Sequence, residues 1–339
     1  LKKDSFFVKN IRPLIRHKVF SLIIILLVLI AIFTFWSAAE GGQFFKASTV
    51  KNVLNSIVLT AFLAIGAGCL LISGDIDLSQ AAVGAFGGVI MAAAVANWNL
   101  PWFVGIIICL VFCAALGAVN ALMVTRFRFP AFIATLAMMS MAKGLMFIFS
   151  AIGREGGVAA NVACNNNDYI DFIGKGFIGP IPFGVIVMLV VFLFYGILMS
   201  KTKFGLKVML MGGNPAAANL AGINSRRISV ILFINSAVLG GVAGVFSTSR
   251  LGQGSLLALQ TNQFTGLTAA ILGGISFGGG AGGMGGAFVG LLILNTFQIG
   301  MQGVGVNPFW VNVFSGIILL IALTTDFLAQ RRANNPKAA

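Results

Sequence analysis

The stretch WNLPWFVGIIICLVFCAALGAVNALMVT, from Trp98 to Thr125, runs 28 positions without a charged side chain. About 20 apolar residues suffice for a helix to cross the hydrocarbon core of a bilayer. Inside lipid a helix is the form that satisfies its own backbone hydrogen bonds. Phe20 to Phe35 forms a second block, sixteen positions without a charge. Across all 339 residues, 58% are hydrophobic and 9% charged, whereas a soluble chain carries roughly 25% charged residues. The sequence therefore predicts an all-α polytopic membrane bundle, read as one domain over 1–339.

About ten membrane segments are expected, within a range of eight to ten: 19–36, 52–72, 79–97, 101–125, 130–150, 181–199, 229–248, 261–277, 284–302 and 307–328. Glycines interrupt 261–302, where a re-entrant arrangement could replace two crossings. The net charge of +14 follows the loops rather than marking a nucleic-acid partner. Lys2, Lys3, Lys9, Arg12, Arg16 and Lys18 lie in a basic segment, 1–18, before the first block. Arg331, Arg332 and Lys337 lie in a tail, 329–339, after the last. With both termini cytoplasmic, Arg126 and Arg128, and the loop from Lys201 to Arg227, also fall inside. Glu40, Glu155, Asp168 and Asp171 fall outside, as the bias of Lys and Arg toward cytoplasmic loops requires. The Gly- and Asn-rich segment 151–180 reads as an exposed connector. Cys69, Cys109 and Cys113 sit in apolar blocks as small fillers and Cys164 in a polar loop. His17 is the one histidine, which excludes a His-based metal centre.

Two stretches echo one another. Ser73-Gly-Asp-Ile-Asp-Leu-Ser79 and Gly273-Gly-Ile-Ser-Phe-Gly-Gly279 each follow an apolar block and lead into Gly-rich helix. Transporters often contain such repeats, with the pathway at their interface.

Residues 205–223, GLKVMLMGGNPAAANLAGI, are too polar to span, yet they carry a complete local helix signal. Asn214 is a good N-cap, and Pro215 suits the first turn, where its missing N–H does no harm. Ala216 to Ala218 are strong helix formers, and Gly222 supplies a left-handed stop. A cytoplasmic helix of about two turns, roughly 10 Å long, follows. Its methyl-rich face suits a groove on another protein; an ordinary interhelical loop would read the same way.

This stretch resembles the coupling loop of the ribose/galactose branch of ATP-binding-cassette permeases, with its Gly, Gly-Asn-Pro, Ala-Ala and Gly-Ile pattern. Three other stretches resemble the same family: Gly74-Asp-Ile-Asp-Leu-Ser79; Asn120 with Pro130, Phe132, Ile133 and Thr135-Leu136; and Gly273-Gly274 with Gly278 to Gly283. Asp75 stands where that family usually has Gly. The resemblance implies a type II-like importer permease in a bacterial inner membrane, pairing with a second copy or a paralogue. It also implies a cytoplasmic ATPase subunit that holds ATP and Mg, and a periplasmic binding protein that delivers a pentose- or hexose-type sugar. Gly205, Gly213, Asn214, Pro215, Ala217, Ala218, Gly222 and Ile223 would couple to the ATPase.

Acidic side chains at the bilayer centre cost about 2.5–3.5 kcal/mol each on insertion scales. Asp75 and Asp77 are therefore expected either to face a water-filled cavity or to cap a solvated turn. With Ser79, Asn120, Thr135 and Asn295 they are the candidate pathway residues, although polar residues in apolar helices also serve as interhelical glue. Lys143 would snorkel or pair with Asp75 or Asp77. No Gly-x-x-x-x-Gly-Lys-Ser/Thr loop occurs, so the sequence predicts a transport subunit rather than an enzyme, binding no cofactor or metal itself. An ion-coupled secondary transporter using Asp75 or Asp77 is the alternative.

Overall fold

A computed structural model describes residues 18–39, 44, 46–152, 157–164 and 167–334. Thirteen helices account for most of these residues. In chain order they begin with α1 (Lys18–Ala39), α2 (Ala47–Ser73), α3 (Gln80–Ala96), α4 (Trp102–Thr125), α5 (Ala131–Ala151) and α6 (Asp168–Lys175). Next come α7 (Phe183–Lys201), α8 (Lys203–Gly213), α9 (Pro215–Leu220) and α10 (Ser225–Leu251). The last three are α11 (Asn262–Leu272), α12 (Met284–Gly303) and α13 (Pro308–Asn334). The basic segment 1–18 lies outside the described residues except for Lys18, and α13 carries helix into the expected tail as far as Asn334.

Among the described residues, eight helices are long and apolar enough to cross a membrane: α1, α2, α4, α5, α7, α10, α12 and α13. They fall into an inner and an outer set. In α2, 89% of the apolar window is buried in the bundle, against 11% in α1 and in α13. Outer helices present Leu27, Ile107, Leu193 and Leu320 outward, which is costly in water and free of cost against acyl chains. The shorter α3 is buried along most of its length at the centre.

Close backbone approach seats α3. Gly84 and Gly88 on α3 face Gly240 and Gly244 on α10, small residues four apart on both helices. A Cβ at Gly84 would stand 2.1 Å from the Gly240 carbonyl oxygen, and one at Gly244 2.0 Å from that of Gly84. Without a hydrophobic drive between helices in lipid, van der Waals contact at such small-residue crossings holds the pair together.

Segment 261–277, expected as a crossing, is helical only from Asn262 to Leu272. Those 11 residues reach roughly 16 Å, about half the hydrocarbon thickness. The cause is a left-handed stop at Gly274, φ +88. The echo noted in the sequence reappears here as geometry. After α2, Gly74 N–H donates to Leu71 O at 2.9 Å and Asp75 N–H to Leu70 O at 3.0 Å. After α11, Gly274 N–H donates to Ile271 O at 2.8 Å and Ile275 N–H to Ala270 O at 3.1 Å. Both breaks thus close with the same paired C-terminal motif.

The connector between α5 and α7 is more ordered than its composition suggests. Asn167 caps α6 by accepting from the N–H groups of Tyr169 and Ile170. The two-residue strands β1 (Val162–Ala163) and β4 (Gln253–Gly254) pair antiparallel, as do β2 (Phe177–Ile178) and β3 (Ile181–Pro182). Cys164, beside β1, is buried.

Candidate functional site

Three features carry chemistry. The first is the α8–α9 knob. Asn214 Oδ1 accepts from Ala217 N–H at 3.0 Å, Pro215 occupies the first turn, and Gly222 adopts φ +79. Ile223 N–H returns to Ala218 O at 3.0 Å, closing the helix. Ala218 and Ile223 are buried and anchor the knob, whereas Pro215, Ala216, Ala217 and Leu220 project outward. Leu220 is 90% exposed. Gly205 lies in α8, a helix the sequence reading missed, and its Cβ would stand 2.1 Å from Met199 O. Gly213 is exposed at the junction of α8 and α9.

The second feature is a seam beneath that knob. Gly280 N–H donates to Ile72 O at 2.9 Å. A Cβ on Gly212 would lie 1.9 Å from the same carbonyl oxygen, and one on Gly279 would lie 2.8 Å from Gly212 O and 3.0 Å from Gly74 Cα. The end of α8, the break after α2 and the loop before α12 therefore meet backbone against backbone.

Beyond the seam, Asp77 organises the start of α3. Its Oδ1 accepts from Ser79 N–H at 2.8 Å and Ser79 Oγ at 2.6 Å. Its Oδ2 accepts from Ser236 Oγ at 2.8 Å. Gln263 supplies Oε1 to Ala81 N–H at 2.7 Å and donates Nε2 to Asp77 O at 3.3 Å. Charge-assisted bonds to the positive end of a helix stabilise a buried carboxylate. Asn120 Nδ2 donates to Ser79 Oγ at 2.9 Å. Asp75, half-buried, accepts from Ser229 Oγ at 3.1 Å.

Lys143 forms no ion pair with Asp75 or Asp77; the serines occupy both carboxylates. Thr135 donates back to Ala131 O at 2.8 Å on its own helix. Asn295 donates to Leu291 O at 3.0 Å and accepts from Ser56 Oγ at 3.3 Å, tying α12 to α2. The structure thus places Asp77, Ser79, Asn120, Thr135 and Asn295 in buried packing around α3 and α12. Asp77→Ala is expected to lower stability by about 2–3 kcal/mol, because it strips the acceptor from the buried Ser79 N–H and from the Ser79 and Ser236 hydroxyls. Asp77→Asn should recover most of that loss, as thermal melts of the purified protein would measure. An Asn variant with normal melting but no transport would instead mean that transport uses the negative charge.

The third feature is a cleft of about 500 Å³ between α11, α12 and α13. Thr261 lines it from the N-cap of α11, Asn262, Thr265 and Thr268 from α11 itself, Gln298 and Gln302 from α12, and Asn312 and Ser315 from α13. No charged side chain lines it. A smaller cavity of about 150 Å³ lies across Phe264, with Lys143, Gln260 and Gln263 in its wall. None of the sequence-chosen pathway residues lines either cavity. The signal for the cleft was present in the sequence: polar residues at 261, 265 and 268, at 298 and 302, and at 312 and 315 mark one face of each helix. Among the described residues no group of three or more His, Cys, Asp or Glu side chains is placed to hold a metal.

A helical membrane bundle with a capped knob at one end and a charge-free polar cleft at the other has the build of a transport permease. Residues 49–323 match the branched-chain amino acid transport system / permease component family, and the chain belongs to that family. Among its relatives is the probable ABC transporter permease protein YphD of Escherichia coli (strain K12), 30% identical over 92% of this chain and 91% of the relative. The fructose import permease protein FrcC of Rhizobium meliloti is 30% identical over 90% of this chain and 84% of its own. The ribose import permease protein RbsC of Escherichia coli (strain K12) is 30% identical over 90% and 92%. No solved structure matches the chain.

Proposed function

We propose that this chain is the membrane-spanning subunit of an ATP-driven importer that moves a small sugar of pentose or hexose type. The observation that carries the reading is α9, a capped helix held out from the bundle by buried Ala218 and Ile223, on a chain whose sequence has no phosphate-cradling loop. Its small exposed face fits a groove on a cytoplasmic ATPase subunit, with Gly205, Gly213, Asn214, Pro215, Ala217, Ala218, Gly222 and Ile223 shaping the contact. The names of the relatives, which include fructose and ribose import permeases, support a sugar as cargo. In this reading the protein sits in the inner membrane with both ends of the chain cytoplasmic. It pairs with a second permease copy or a paralogue, and receives sugar from a periplasmic binding protein.

Asp75, Asp77, Ser79, Asn120, Thr135 and Asn295 serve the pathway from behind its wall, fixing the positions of α3 and α12. Movement of α9 reaches them through the seam. Uptake of D-ribose, D-fructose and L-arabinose into membrane vesicles tests the reading. ATP depletion should stop uptake while the proton gradient persists. Loss of uptake on adding an uncoupler, with ATP held constant, would overturn it in favour of an ion-coupled carrier.

A further inference from the structure

Several polar side chains of the α11–α12–α13 cleft have hydrogen-bonding capacity left over. Gln298 Nε2 donates to Ser315 Oγ at 3.2 Å, and Ser315 Oγ donates on to Val311 O at 2.8 Å. That fixes the amide and leaves Gln298 Oε1 as an open acceptor. Asn262 Nδ2 donates to Thr60 Oγ1 at 3.0 Å, which leaves its Oδ1 open in the same way. Gln302 and Asn312 line the cleft and form no side-chain hydrogen bond among the described residues. Polar groups without partners are expensive against acyl chains, so this cleft holds water or a ligand. Phe264, 55% exposed, forms an apolar wall of the same cleft.

We infer that this cleft is a binding site for a neutral polyhydroxylated ligand, a sugar, within the permease itself. The inference rests on the reading of the chain as a sugar permease and adds a site to it. Three observations fit that ligand class. Amides and hydroxyls offer donors and acceptors together, as sugar hydroxyls require. The volume of about 500 Å³ lies within the range of small-molecule sites, roughly 300–1,000 Å³. A charged ligand would meet no counter-charge in the wall, whereas the C–H face of a sugar ring can lie on Phe264. The cleft also sits at the end of α12 and the start of α13, at the opposite end of α12 from the seam and the α9 knob. Substrate handed over at one end and an ATPase at the other would be separated by the length of the bundle.

Single cysteines at Gln298, Asn312 and Ser315 test this in membranes containing only this chain, without ATP or a binding protein. All four native cysteines are free and buried. Burial, with Asp171 nearby, also pushes the Cys164 thiol up to about 11, so it stays protonated and unreactive near neutral pH. A membrane-impermeant methanethiosulfonate should modify Q298C, N312C and S315C. It should leave L193C, on the outward face of α7, untouched. D-ribose, D-fructose or L-arabinose should slow the modification, and adding Gln302→Leu to N312C should weaken that protection about fivefold to tenfold, the worth of one hydrogen bond. Unmodified cleft cysteines would show a dry cleft, and modification that no sugar slows would show a water-filled cleft without a site. Either result overturns the inference, and neither bears on whether ATP drives transport.

Discussion

Gly212→Ala is expected to yield a protein that inserts but does not complete its bundle. The new methyl carbon would stand 1.9 Å from Ile72 O and 2.6 Å from Gly280 N. Both neighbours are backbone and are hydrogen-bonded to each other, so no side chain can rotate away. Overpacking costs about 1–3 kcal/mol, and loss of the buried hydrogen bond a further 1–3 kcal/mol or so. Against the 5–15 kcal/mol or so that holds an average domain together, the sum is a large fraction. The adjacent Gly213→Ala is the control: its Cβ would meet only Gly280 Cα, at 3.8 Å, and it should melt like the parent. Thermal melts of the two purified variants decide the matter. Equal melting temperatures would mean that the seam is open in the protein as purified.

Ala217→Arg should give the opposite pattern, with stability retained and transport lost. Ala217 is exposed, arginine is a good helix former, and the cap from Asn214 Oδ1 goes to the backbone N–H, which the substitution keeps. A guanidinium forced into a groove shaped for methyl groups leaves an unpaired charge, worth about 3–5 kcal/mol. ATP-driven uptake should therefore fall by at least about a hundredfold while the melting temperature is unchanged. Full-rate uptake by this variant would remove α9 from the coupling role.

The knob was readable in the sequence because everything that makes it is local. Asn214, Pro215 and Gly222 act within one or two turns, so their side-chain chemistry fixes start and stop without reference to the rest of the chain. The two breaks were readable as an echo for a similar reason, since the Gly74 and Gly274 stops depend on five or six consecutive residues. The roles of Asp75 and Asp77 were less legible. Their chemistry flagged them, but their partners Ser229 and Ser236 lie more than 150 positions away. The length of α11 was misjudged because apolar composition continues through Ile275 and Phe277, past the point where Gly274 turns the backbone. The cleft was missed because its three polar faces are separate in sequence and become one surface only when α11, α12 and α13 pack.

The seam also bears on how the chain is made. Ile72, Gly212 and Gly280 lie on segments that emerge from the ribosome far apart in time, yet their backbones meet at the seam. The Gly279–Gly280 loop is not made until synthesis has passed α11, so the end of α8 waits with an open flank while the chain grows from Gly213 to Gly280. The last third of the polypeptide is then what locks the first, and a nascent chain cut short before residue 273 should leave α8 unclasped and open to proteolysis.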